Sequence, residues 1–452
     1  MSRAPKDLRD VATRVIEAAR GRGVTSADVI ARQEQALTAG IHLGAIDKLK
    51  TARERALGLR VFFGARSAIT STSDFSAASL DRLLDDTCAL ARATADDPAS
   101  GLPDAAEMAL TIPDLDLHDP EGDGLSVENQ IDRVRRAEAA ALAVDPRVSN
   151  IEGAEWDGGS SRTVLANTHG FVGEVARSGF SLFVAPIALE DGAMQRDMHY
   201  TAGCKLSQLE TPEEVGRKAG ERALRRLHAR KVPTCRVPVL FDADTASSLM
   251  GHLASATSGS AIYRGASFLI GKLGERIGPE RFTVIDDGTL RARMGSAPFD
   301  GEGLAARRTV VVDRGVLSSW LLDSYSARKL GLRSTGNARR GLADGPSVGA
   351  HNFYLEPGPG TPEDLIRSVK SGLYVTELIG FGVNPVTGDY SRGAAGIWIE
   401  NGELAYPVEE ITIAGNLLEI FTRIEAVAND LDFRRSITSP ALLVGEMTVA
   451  GD

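Results

Sequence analysis

The chain has 452 residues, with 51 Lys and Arg against 61 Asp and Glu (formal charge −10), 43% hydrophobic and 25% charged residues. That length suits two or three domains with cores large enough to need no disulfide or metal staple, and the acidic balance argues against a broad phosphate-binding face, so no nucleic-acid partner is expected. Cys88, Cys204 and Cys235 form no CxxC pair, and no run approaches the roughly 18 apolar residues of a membrane span, which excludes a disulfide framework, a Cys-rich zinc module and a membrane partner.

From the N-terminus, MSRAPKDLRDVATRVIEAARGRG is charged and amphipathic and lacks the apolar core of a secretory signal, so a cytoplasmic location is expected. Leu8, Val11, Ala12, Val15, Ile16 and Ala19 share one helical face, and Gly21 and Gly23 end the run. Further helices are predicted over Ser79–Thr94 and Val127–Val144. Strands are predicted over Gly58–Phe63, Val148–Gly153, Arg162–Asn167 and Phe171–Leu189. Thr211-Pro212-Glu213-Glu214 reads as a capped helix start, with Pro212 at the first helical position and Glu214 completing a capping box. That helix ends in the basic run ERALRRLHARK, expected to be a solvated helix end rather than a binding patch.

Val232-Pro233-Thr234 reads as a linker, which divides the chain into an N-terminal α+β domain (1–230) and a mainly β, glycine-rich C-terminal domain (231–452). In the second half, Val310–Asp313 and Val316–Leu321 form a predicted hairpin across Arg314-Gly315. Ile397–Glu400 and Glu403–Val408 form another across Asn401-Gly402, whose residues accept the positive φ of a type I′ turn. A strand at Glu410–Ile413 leads to a predicted amphipathic helix carrying Leu417, Ile420, Phe421, Ile424 and Val427. Two glycine-rich segments stand out. Gly336–Ala350 reads equally as a groove wall or a connector, and Gly380–Gly396 holds five glycines, implying special backbone angles or close approach.

Several chemistries are missing. The seven histidines precede Leu43, Asp119, Gly170, Tyr200, Ala229, Leu253 and Asn352, so no HExxH or HExxxH helix exists. Gly265–Lys272 has Ile270 where a phosphate-binding loop needs glycine, and Gly380 and Gly382 are followed by Pro385 rather than a third glycine. Ser326 and Lys329 match the SxxK pairing of a serine nucleophile with a lysine base, without the companion motifs. His252, on a small-residue helix, reads as a structural histidine.

Three stretches, SLMGHLASATSGSAIYRGASFLIGKLGERIG, GSAPFDGEGLAARRTVVVDRGVLSSWLLDSYSARKLGLRSTGNA and GFGVNPVTGDYSRGAAGIWIENGELAYPVEEITIAGNLLEI, closely resemble the TldD/PmbA family and its TldE (PmbA) branch. ALGLRVFFGARSAITSTSDFS extends the resemblance to the first half. In that family the TldD subunit is a zinc protease with an HExxxH helix and a further cysteine ligand near its C-terminus. Here Gly251–Gly259 stands at that helix with His252 alone, and Phe433–Pro440 stands at the cysteine without one. The resemblance therefore implies a TldE-like subunit with no catalytic residue, no metal ligand set and no cofactor of its own, zinc being held by a TldD-like partner. It also implies a cavity shared with that partner, into which an extended peptide is threaded. The candidate cavity residues are His252, Ser255, Thr257, Arg339, Arg340, His351, Asn352, Asn384 and Arg392. The alternatives are a hydrolase built on Ser326 and Lys329, and a homodimeric peptide-binding protein with no protease partner. The family has also been linked to DNA gyrase, for which a charge of −10 gives no electrostatic support.

Overall fold

The structure, a computed structural model, describes residues 7–451, so MSRAPK, the start of the segment read as lacking a signal core, lies outside the described residues. The N-terminal half runs α1 (Leu8–Gly21), β1 (Ser26–His42), β2 (Ala45–Phe63), β3 (Arg66–Thr72), α2 (Ala77–Ala93), α3 (Pro120–Asp123), α4 (Val127–Leu142), β4 (Val148–Asn167), β5 (Val172–Glu190), β6 (Ala193–Arg196), β7 (His199–Gly203) and α5 (Pro212–Leu224). These strands form one antiparallel sheet in the order β3-β2-β1-β4-β5-β6, with β7 also on β5. Successive side chains of a strand point to opposite faces. Ala27, Val29 and Ala31 of β1 pack under α1 and α2, while Leu37, Ala39 and Ile41 pack under α4 and α5. The alternating side chains of the same strand, Asp28, Ile30, Arg32, Glu34 and Ala36, point away from the helices. The capping box forms as expected: Glu214 N donates to Thr211 Oγ1, and Thr211 N donates back to the Glu214 carboxylate.

Two strand expectations change. Val148–Gly153 and Arg162–Asn167 are parts of a single 20-residue strand. The glycines between them do not break it, because a close neighbour needs one: a Cβ on Gly159 would sit 2.4 Å from the Gln35 carbonyl oxygen. β2 starts at Ala45 rather than Gly58, since its charged, exposed first half pairs with β1 along its whole length.

The C-terminal half runs β8 (Cys235–Phe241), α6 (Ala243–Ala256), α7 (Gly259–Tyr263), β9 (Val284–Asp287), β10 (Arg308–Asp313), β11 (Val316–Leu317), α8 (Ser324–Leu330), β12 (Ala338–Arg339), β13 (Ser347–Val348), β14 (Asn352–Leu355), α9 (Pro362–Ser368), β15 (Ser371–Ile379), β16 (Asp389–Glu400), β17 (Glu403–Asn416), α10 (Leu417–Thr422), β18 (Ile424–Val427), β19 (Ile437–Thr438) and β20 (Leu442–Ala450). Six strands lie in the order β17-β16-β15-β8-β20-β18, and β17 pairs again with β20, closing a ring of strands. A smaller sheet, β11-β10-β9-β14-β19, stands beside it. Both predicted hairpins are present, with positive φ at Arg314 and Gly315 and at Asn401 and Gly402. The predicted helix over 417–427 stops at Thr422. Ile424 and Val427 are buried because they lie in β18, paired with β20, so their helical spacing is coincidental. Among the described residues no helix is long and apolar enough to cross a membrane.

The two halves meet through charges as well as apolar contact. Asp28, Arg60 and Arg340 form a buried cluster, with Arg60 Nη2 and Arg340 Nη1 each 2.5 Å from an Asp28 oxygen. Burial opposes ionisation of Asp28, but the two guanidiniums outweigh it and hold the carboxyl below its ordinary range. Glu302 approaches Arg60 at 3.9 Å. Burial pushes both Glu302 and its neighbour Asp300 upward, with the Glu302 charge adding to the rise at Asp300 and the Asp323 charge adding to it at Glu302. Apolar closure comes from Ile30, Leu165, Phe171, Phe299 and Leu304. The basic run after α5 belongs to this seam, which corrects the expectation of a solvated helix end. Arg222 lies 4.0 Å from Asp242, Arg226 pairs with Glu377, and Arg230 stacks on Tyr406.

Candidate functional site

The site is organised around α6. Asp242 caps it by accepting from Thr245 N at 2.8 Å, and Ala246, Leu249, Met250 and Leu253 bury its inner face. β19 runs beside it, tied by Ser439 N donating to Ser247 Oγ at 3.1 Å. The 437–439 stretch therefore lies against α6. Gly251, His252 and Ser255 lie on the outer face.

His252 stands edge-on to Tyr390, with ring centroids 6.0 Å apart, and among the described residues neither His252 Nε2 nor the Tyr390 hydroxyl has a hydrogen-bond partner. Arg392 lies alongside, donating from Nη1 to Ser248 Oγ at 3.4 Å. Burial, reinforced by the Arg392 charge, lowers the His252 pKa, so this imidazole is neutral near pH 7. Burial raises Tyr390 above the usual tyrosine range. Among the described residues no group of three His, Cys, Asp or Glu side chains could hold a metal ion. A hydrolytic zinc needs about three protein ligands and an open position. One imidazole beside a guanidinium does not meet that need, so the surroundings of His252 do not fit zinc.

A cavity of about 460 Å³ opens beside the C-terminal end of α6, lined by Ser255, Ser258, Ser260, Arg264, Ala350 and Ile437 among others. A second, of about 430 Å³, shares Ser260 and Arg264 and passes between the halves along Arg60, Asp97, Tyr325 and Ser347. The 336–350 segment carries the β12–β13 hairpin, and its end, Val348–Ala350, walls the first cavity.

Ser255, His252 and Arg392 are thus brought together on the outer side of α6. Four other candidates are buried and do not reach it. Thr257 Oγ1 donates back to Leu253 O at 3.0 Å. Arg340 is committed to Asp28. Asp286 accepts from His351 N at 2.6 Å and lies 3.3 Å from its Nδ1. Asn352 donates to Asp287 O and Ser296 Oγ and accepts from Gly295 N. The polar groups of Thr257, His351 and Asn352 are spent on internal hydrogen bonds, and Arg340 on its charge pairing with Asp28. Asn384 is exposed, but its side-chain oxygen accepts from Val386 N and so shapes its own loop. Arg339 stands half-buried between Gly295 and Ala350. Ser258, Ser260, Arg264 and Ile437 were not singled out from sequence. The hydroxyl-rich SATSGS that follows His252 was the available signal.

The SxxK pairing does not form. Ser326 is buried with Oγ donating to Asp323 at 2.5 Å, and Lys329 reaches Asp97 at 3.0 Å.

Residues 234–451 match the profile described as the PmbA/TldA metallopeptidase C-terminal domain, 120–227 the central domain and 27–91 domain 1. The chain is 38% identical over 446 residues to the metalloprotease PmbA of Escherichia coli O157:H7, covering 99% of this chain and 96% of that one. It belongs to the PmbA/TldD family. A PmbA homolog of Haemophilus influenzae is 35% identical over 448 residues, covering 99% and 97%. A Bacteroides thetaiotaomicron crystal structure, of a candidate modulator of DNA gyrase, superimposes over the full length of both chains with a TM-score of 0.92 at 27% identity. TldE from Thermococcus kodakarensis shares the fold with a TM-score of 0.88 at 19% identity, covering 98% of this chain and 100% of that one. This chain is thus a metalloprotease-like member of the PmbA/TldD family, with one histidine on its α6 helix.

Proposed function

We propose that this chain is the non-catalytic, TldE-type subunit of a cytoplasmic TldD/TldE zinc protease that cleaves unfolded or leader peptides. The observation that carries the reading is the outer face of α6, where a single imidazole lies beside Arg392 with no carboxylate to act as base. Zinc chemistry depends on lowering the pKa of bound water from about 16 to about 7, and a lone imidazole next to a guanidinium cannot assemble that centre. The TldD-type partner supplies the metal, and this chain supplies one wall of the peptide cavity, through the serine-lined space beside α6.

The test measures zinc and peptidase activity for the purified chain, for a TldD-type partner and for their mixture. The chain alone is expected to hold no stoichiometric zinc and to cleave nothing. The mixture is expected to show chelator-sensitive cleavage of an unfolded peptide, unchanged by Ser326→Ala. Cleavage by the chain alone, or one tightly held zinc per chain, overturns the reading.

A further inference from the structure

On the face of the N-terminal sheet opposite its helices, the strand register lays out rows of side chains. Thr38, Asp157 and Ser181 form one row. Ala36, Gly159 and Gly179 form a bare row beside it, followed by Glu34, Ser161 and Arg177, then Arg32, Thr163 and Val175. The bare row leaves a trough of about 370 Å³, bounded by Arg177 and Met294 toward the C-terminal half.

Two arginines converge at that end. Arg177 Nη2 donates to Ser296 O at 2.5 Å, and Arg339 Nη2 donates to the adjacent Gly295 O at 3.4 Å and to Ala350 O. Each spends one nitrogen on these carbonyls, and the remaining guanidinium nitrogens, Nε and Nη1, are not among the buried unpartnered atoms. Neither makes an ion pair among the described residues. The acids that Arg339 senses, Asp286 and Asp300, are occupied by His351 N and Asn337 in one case and by three backbone N–H groups in the other. Arg32, two strands across, adds a third positive charge, and among the described residues its partner is Thr163 Oγ1. Elsewhere in the seam buried guanidiniums are matched to carboxylates, so this uncompensated pair is an exception. Ala350 also walls the cavity beside α6, which sets Arg339 between the trough and that cavity.

We propose that Arg177 and Arg339 form a subsite for a peptide carboxylate, either an acidic side chain or a free C-terminus, on an extended peptide lying in the trough. Arginine suits this task because its planar fork matches a carboxylate with two parallel hydrogen bonds. Glu34 and Asp157 along the same trough repel a polyanion, which favours a peptide over a nucleic-acid strand. The inference rests on the peptide-handling role proposed above and adds the substrate chemistry.

The test uses three rhodamine-labelled decapeptides of one unfolded sequence: Gln-containing with an amidated C-terminus, Glu-containing with an amidated C-terminus, and Gln-containing with a free carboxylate. Anisotropy with the full chain, alone and with a TldD-type partner, should show about tenfold tighter binding for one or both carboxylate peptides. Which of the two gains identifies the source of the carboxylate. Arg177→Gln and Arg339→Gln should each remove that preference, with folding checked by circular dichroism. Gly179→Val should abolish binding of all three at unchanged melting temperature, because a Cβ there meets no atom within 4 Å. Equal binding of the three peptides, a preference that survives both arginine changes, or displacement of the Glu peptide by a single-stranded decanucleotide overturns the subsite. If zinc-dependent cleavage by the complex persists in those cases, the subunit reading stands. Binding of none of the peptides, with or without partner, sinks both.

Discussion

Arg339 and Arg340 are neighbours in sequence and belong to different regions. Arg340 turns into the seam, where Asp28 receives it together with Arg60, and these charges are closed off from solvent. Arg339 turns toward the cavities with only carbonyl oxygens as partners. The seam is charge-paired and structural, with Arg340 beside Asp28, whereas Arg177 and Arg339 at the trough have no carboxylate partner among the described residues. Polarity at an interior position thus has two meanings, and the difference lies in whether a countercharge is present.

The largest effect is expected where that countercharge is removed. Asp28→Ala leaves two buried guanidiniums facing each other and should cost about 3–5 kcal/mol, read as a fall in the urea midpoint. Gly58→Ala tests the same seam sterically, because a Cβ there would lie 2.0 Å from the Leu342 carbonyl oxygen. A loss of about 1–3 kcal/mol is expected.

A pH experiment sharpens the contrast at Asp242, which lies between the two regions as the cap of α6, 4.0 Å from Arg222. Burial, with Asp244 nearby, lifts its carboxyl from 3.8 to about 6 against the pull of Arg222. The folded chain therefore holds this proton more tightly than the unfolded chain. The contribution to stability is fully present below 3.8 and lost as pH rises through about 6. Asp242→Asn should flatten this part of the stability profile, measured by urea unfolding at pH values on either side of that window. At the small end, Ser255→Ala on the outer face of α6 removes only a bond to Gly251 O. It should shift stability by less than about 0.5 kcal/mol.

The sequence signals that survived were local ones. Thr211, Pro212 and Glu214 decide a helix start within four residues, and Asn401-Gly402 decides a turn within two, so neither needs tertiary information. Strand length was not local. Ala154 to Ser161 carries no predicted strand and includes Gly158 and Gly159, which are poor strand formers, yet the pairing of β4 with β1 and β5 carries the strand through them. Ile424 and Val427 misled in the opposite sense, since helical spacing and an edge strand bury them equally well. At the site, His252, Ser255 and Arg392 were visible as residues on or near one helix. The roles of His351, Asn352 and Arg340 depend on Asp286, Asp287 and Asp28, which are distant in sequence, and no single segment contains that information. The arginines at the end of α5 misled for the same reason, since their partners lie elsewhere in the chain, Asp197 between β6 and β7 and Glu377 on β15.

β20 pairs with β8, β17 and β18 at once, so the strand made last among them is the keystone of the ring. During synthesis, β8 and α6 have left the ribosome long before it arrives and must wait, partly unsheltered, for closure. A chain interrupted before Leu442 has a complete N-terminal sheet but no stable support beneath α6, and should fall to chaperones and proteases. Only chains read through that strand would then display the cavity beside α6.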